Sequence, residues 1–208
     1  MTYTKEDIEK LDRIARLKII NSVTGIKPAN LIGTINNHGE TNLAIFSSVV
    51  HLGSNPALLG IICRPQTAEV GHTYRNIKET KVYTINHIHP EFIKNAHYTS
   101  AKFDAAISEF KRCNLSEENI PNFKAPFVKE SSFKIGMRFK EALNIEQNGT
   151  ILVIGEIEHL MLPDNCVVDD DIDLELSNSV GISGLNSYYG LRKIEKHPFV
   201  RVHEVPNF

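Results

Sequence analysis

The spacing of apolar positions changes character along the chain. In residues 4–20, Ile8, Leu11, Ala15 and Ile19 recur at steps of three and four. That period predicts an amphipathic helix. Thr4 followed by Asp7 three positions later reads as a capping-box start, and Gly25 and Pro28 break the pattern. From residue 29 the chain reads as strands. Residues 30–36 and 42–52 are β-compatible, with the turn signal Asn37-His38-Gly39-Glu40 between them. Gly53-Ser54-Asn55-Pro56 is a second turn, followed by the apolar run 57–63. Three strands and two tight turns predict an antiparallel meander.

Residues 64–71 form a polar loop and 72–80 a short helix. Residues 81–88 alternate as a strand does. Residues 90–110 read as mostly helical, with Phe103, Ile107 and Phe110 at helical steps. Two long β-like runs follow, 133–145 and 150–162, joined by the hairpin signal Glu146-Gln147-Asn148-Gly149. Asp169-Asp170-Asp171 opens a polar, exposed stretch, and 181–190 carries three glycines and two tyrosines. Strands dominate and helices are appended. The expected class is therefore mainly β (α+β), an antiparallel β-barrel with peripheral helices.

Composition narrows the function classes. A chain of 208 residues suits one globular domain, with or without decorations. Its net charge of −2 comes with no long basic run, which argues against nucleic acid as a partner. Cys63, Cys113 and Cys166 are odd in number, widely spaced and without a CxxC pair. Neither a disulfide scaffold nor a zinc knuckle is expected from them. The polar, acidic start lacks the features of a secretory signal. No segment approaches the roughly 20 apolar residues of a membrane span. A cytoplasmic protein without membrane partners is the expectation. There is no GxGxxG and no GxxxxGK[ST], so Rossmann and P-loop readings are poor.

Two segments carry candidate chemistry. In residues 41–48, Asn42, Ser47 and Ser48 stand among apolar residues. They offer hydrogen-bonding groups beside a greasy wall, as a flat heteroaromatic ring with a polar edge requires. The plainer alternative is a turn-ending Asn and serines that satisfy backbone groups. In residues 64–76, the start of the helix over 72–80 presents free N–H groups and a positive dipole end, suited to phosphate. Arg64, Thr73, Arg75 and Asn76 add donors. An ordinary helix start with two solvated arginines is the competing reading. Cys63 lies beside this loop, as a ligand contact or an inert buried thiol. His87 and His89 share a strand face without a nearby Cys or carboxylate to complete a set, and the acidic run lacks EF-hand spacing. No metal site is expected.

Both candidates occur, in this order, in one known family. The sequence resembles the flavin reductase-like proteins with an FMN-binding split barrel, of the flavin reductase and flavoredoxin type. The matching residues are Asn42-Leu43-Ala44, Ser47-Ser48, Asn55-Pro56 and the strand to Cys63, then His72-Thr73-Tyr74-Arg75-Asn76-Ile77 and the strand ending at Asn86. Residues 100–103, Pro126, Gly155-Glu156-Ile157, Gly184 and Tyr188-Tyr189 continue the match. The resemblance covers roughly residues 28–192. It implies a barrel domain over 28–192, with an N-terminal helical extension, 1–27, and a C-terminal tail, 193–208. It implies a homodimer with one FMN per subunit. Asn42, Leu43, Ala44, Ser47, Ser48 and Val49 would line the ring and ribityl chain, and Arg64, Thr73 and Asn76 would hold the phosphate, with Cys63 and Arg75 beside them. The segment 184–189 would lie near the site or its rim. The implied activity is flavin reduction by NADH or NADPH, often for a partner oxygenase. The alternative is a non-enzymatic FMN electron carrier of the flavoredoxin type that serves another redox protein.

Overall fold

The computed structural model describes residues 1–67, 71–104 and 106–207. In chain order its strands are β1 (Lys27–Pro28), β2 (Asn30–Ile35), β3 (Thr41–Phe46), β4 (Val49–Ser54), β5 (Ala57–Cys63), β6 (Val82–His87) and β7 (Glu117–Ile120). They continue as β8 (Phe123–Val128), β9 (Lys134–Ile145), β10 (Thr150–Met161), β11 (Val167–Val168), β12 (Asp171–Ile172), β13 (Val180–Ser183) and β14 (Ser187–Gly190). The helices are α1 (Lys5–Lys10), α2 (Arg13–Ser22), α3 (His72–Thr80), α4 (Ile93–Tyr98) and α5 (Glu109–Arg112).

Seven antiparallel strands form the main sheet, in the order β3-β2-β6-β9-β10-β5-β4. Its two outermost strands, β3 and β4, are consecutive in the chain and separated only by Ser47 and Ser48. The sheet therefore curls until its edges are joined covalently at this link, and the Ile62 N–H donates to the Ser48 carbonyl at 3.0 Å. This is the split barrel expected from the sequence. Alternation of side chains across a strand supplies two cores. Ile32 faces the barrel interior with Ile61, Ile85, Met137 and Val153. Its neighbour Leu31 faces outward onto Leu43, Ile88, Phe110 and Val128.

The structure corrects several local expectations. The strand expected over 42–52 is two strands, β3 paired with β2 and β4 paired with β5. A change of pairing partner leaves the apolar run unbroken, so the pattern does not reveal it. The helix expected over 4–20 is also two. Asp12 Oδ1 accepts the Ile14 and Ala15 N–H groups at 2.8 and 3.1 Å and starts α2 afresh. Among the described residues of 90–110, helix occurs only in a 3-10 turn, Pro90–Phe92, in α4 and at the start of α5. Phe103 and Ile107 lie outside helices.

β7 and β8 form a hairpin in a stretch to which the sequence pattern assigns no element. It turns through Asn122 at φ +64°. β8 packs against β2 and β6: Thr84 Oγ1 donates to the Pro126 carbonyl at 2.7 Å, and the Val128 N–H donates to Asn86 Oδ1 at 2.9 Å. The contact is so close that a Cβ on Gly33 would stand 2.3 Å from the Pro126 oxygen. A small sheet, β1-β13-β14, brings residues 180–190 back to the start of the barrel. Among the described residues no helix is long and apolar enough to cross a membrane.

Candidate functional site

A cleft of about 320 Å³ opens where the barrel edges meet. One wall is β3 and the Ser47-Ser48 link, the next is the end of β5 running into Arg64, and the third is the start of α3. Residues 99–103, Glu109, Leu185, Thr150 and Asn21 of α2 complete it. The barrel topology is what gathers them: the link at 47–48 lies beside the end of β5 because β4 pairs with β5.

The corner at α3 is built from donors. Gly71, at φ +104°, caps the helix without a side-chain hydrogen bond. That conformation favours glycine, and it leaves the first-turn N–H groups and the positive dipole end facing the cleft. Thr73 Oγ1 accepts from Asn42 Nδ2 at 3.2 Å, so its own hydroxyl hydrogen stays available to donate. Arg64 is exposed at the same corner. Among the described residues its guanidinium has no ion pair, and neither Ser47 nor Ser48 hydroxyl is hydrogen-bonded. A cation, three hydroxyls and a helix start suit an anionic group such as a phosphate. Ala44, Ile45 and Phe46 supply the apolar side.

Burial shifts two acidic groups in the cleft towards their neutral forms. Cys63 is buried and its thiol is pushed up to about 12, so it packs and does not act as a nucleophile at neutral pH. Glu109 is 5% exposed, and burial raises its carboxyl above the usual range against the pull of the Leu43 N–H. That N–H donates to Glu109 Oε2 at 3.0 Å. His72, also in the lining, is lowered by burial and then by the Arg75 charge, with Asp104 opposing.

The structure brings together Asn42, Ala44, Ser47, Ser48, Cys63, Arg64 and Thr73 in one lining. Four other expected residues stand apart from it. Leu43 is fully buried in the outer core. Val49 packs against the barrel interior. Arg75 Nη1 donates to the Thr67 carbonyl at 3.1 Å. Asn76 Nδ2 donates to Thr34 Oγ1 at 3.1 Å and anchors α3 to β2. Glu109, Gln66 and Lys102 line the cleft without having been singled out. Single polar residues in mixed segments give no periodic signal. His87 and His89 are engaged elsewhere, with Ser179, Asn178 and Ser132.

Comparison with known proteins decides the family. The flavin reductase like domain matches residues 26–172, most of the chain. The chain belongs to the flavin reductase like family. A crystal structure from Shewanella frigidimarina NCIMB 400, a split-barrel protein proposed to be a flavin reductase, is 45% identical. Their match spans 96% of this chain and all of that one, with a TM-score of 0.91. The flavoredoxin of Desulfovibrio vulgaris (Miyazaki F) shares the fold at 20% identity, over 84% and 92% of the two chains, with a TM-score of 0.71. An uncharacterised protein of Aquifex aeolicus (strain VF5) is 24% identical over 70% of this chain and 81% of its own length. The cleft thus lies within a flavin reductase-like barrel, at the junction of its two edge strands.

Proposed function

We propose that this flavin reductase-like protein binds FMN in the cleft and transfers hydride to it from NADH or NADPH. The observation that carries the reading is the union, in one cleft, of an apolar β3 wall with a corner at α3 where Arg64, the Thr73 hydroxyl and a helix start meet. Arg64, Thr73 and the α3 start would hold the phosphate, and Ser47 and Ser48 the chain leading to it. Ala44 and Phe46 would cushion the ring. Bound flavin supplies the hydride-accepting chemistry. The protein's part is to orient two stacked rings, which makes the transfer effectively unimolecular. No dedicated acid or base is needed for this transfer.

Exposed Ile14, Leu17, Ile20, Val23 and Ile26 on and after α2 support a homodimer that would cover them. In this reading residues 1–27 and 193–208 extend a barrel domain of 28–192, in a cytoplasmic protein. Nitrilotriacetate monooxygenase component B from Bacillus cereus shares this fold at 15% identity. Delivery of reduced flavin to a partner oxygenase is the corresponding role here.

The test is spectroscopic. The purified protein is expected to be yellow or to bind added FMN, and to consume NADH or NADPH steadily with excess free flavin. A colourless protein with no response to FMN overturns the reading. Bound FMN that photoreduces rapidly while NADH and NADPH are not consumed replaces the enzyme by an electron carrier.

A further inference from the structure

The cleft, at about 320 Å³, lies at the low end of the range for small-molecule sites, roughly 300–1,000 Å³. It has room for one flavin-sized ligand. With a flavin in place, a dinucleotide donor needs further surface for its other half. A second hollow of about 420 Å³ lies immediately beside the cleft. Ala101 and Phe103 line both spaces, so one short stretch of chain forms their common wall.

The hollow has a distinct chemistry. Lys94 of α4 and Arg112 of α5 bring two positive charges, and among the described residues no Asp or Glu lines it. Among the described residues neither cation forms an ion pair. Tyr98 stands 57% exposed there, with the Phe103 ring on the shared wall. An exposed flat aromatic beside two unneutralised cations suits a ligand that combines a planar base with phosphates. The floor is braced, because Asn95 Nδ2 donates to the Cys113 and Asn114 carbonyls at 2.8 and 3.3 Å and ties α4 to the end of α5.

We propose that this hollow receives the adenosine-phosphate half of the nicotinamide dinucleotide, with its phosphates on Lys94 and Arg112 and its adenine against Tyr98 and Phe103. The nicotinamide then reaches across Ala101 into the cleft. The inference rests on the hydride-transfer reading for the identity of the ligand. It assigns donor recognition to α4 and α5, separate from the flavin corner at α3.

The probe is ADP, titrated calorimetrically into the full chain with and without FMN. Saturable binding is expected, weakened at least tenfold in Lys94→Ala/Arg112→Ala and several-fold in Tyr98→Ala. No saturable ADP binding at millimolar concentration, or equal binding by wild type and double variant, overturns the proposal. A kinetic arm compares NADH with reduced nicotinamide mononucleotide, which lacks the adenosine half. The ratio of their kcat/KM values is expected to fall about tenfold in the double variant, and an unchanged ratio overturns the proposal. ADP binding that depends on Lys94 and Arg112 in a protein that oxidises neither NADH nor NADPH keeps the subsite and removes the oxidoreductase reading. Steady NADH oxidation without ADP binding does the reverse.

Discussion

The Asn42 side-chain amide donates to Thr73 Oγ1 across 3.2 Å, and this bond fastens the edge strand β3 to the first turn of α3. Both residues are buried. Asn42→Ala removes the donor and slackens the corner. A stability loss of about 1 kcal/mol is expected in urea unfolding, the usual value of one buried hydrogen bond, with FMN binding several-fold weaker. Unchanged affinity for FMN would separate this bond from the phosphate corner.

Arg64 and Thr73 meet the same corner from different elements. Arg64→Ala or Thr73→Ala should weaken FMN about tenfold or more, and riboflavin much less, because only FMN carries the phosphate. Fluorescence titrations of the two ligands make the comparison. Equal losses would remove both residues from phosphate binding.

Glu109 joins α5 to the free edge of β3 through the Leu43 N–H. Its carboxyl is raised above the ordinary 4.5, chiefly by burial. The folded protein therefore binds this proton more tightly than the unfolded chain. The resulting stability is present at low pH and fades as pH rises past 4.5 through the raised value. Glu109→Gln keeps an acceptor for Leu43 and abolishes the titration, so its urea midpoint should lose this component of the pH dependence. Glu109→Ala leaves the N–H unpaired and should cost about 1–3 kcal/mol.

His87 works in the opposite sense. It stacks on Phe133 at 4.0 Å and bonds Ser179 Oγ through Nδ1 at 2.9 Å. Burial, then the neighbouring His89, depress it from 6.5 to about 4. The unfolded chain binds the proton more readily, so stability falls as pH drops from 6.5 towards 4 and this group contributes nothing further below that. The loss is at most about 3 kcal/mol. His87→Gln should flatten this part of a pH series of thermal midpoints.

Gly33 is the point of closest approach between β2 and β8. Gly33→Ala would press a methyl group to 2.3 Å from the Pro126 oxygen and 2.5 Å from Thr84 Oγ1. A loss of about 1–3 kcal/mol or more is expected from such overpacking. Gly190→Ala, with nothing within 4 Å, is the control and should stay within about 0.5 kcal/mol. Similar midpoints for the two variants would show that β8 yields to the added methyl.

The sequence by itself determined the elements whose signals are local. The hairpin of β9 and β10 follows from Asn148 and Gly149, whose N–H groups both return to the Ile145 carbonyl. The helix α3 follows from the spacing in 72–80. Arg64 and Thr73 could be singled out from their residue types and their place before or in a helix, which suit an anion, and the structure brings both to the cleft. Only the tertiary structure decided that the strand divides at Ser47 and Ser48, because β3 and β4 pair with different strands. It alone placed Glu109 on Leu43, 66 residues away in sequence, and set Leu43 and Asn76 outside the cleft. Strand pairing joins residues distant in the chain, and the geometry of a cleft at a barrel seam comes into being only when those pairings close.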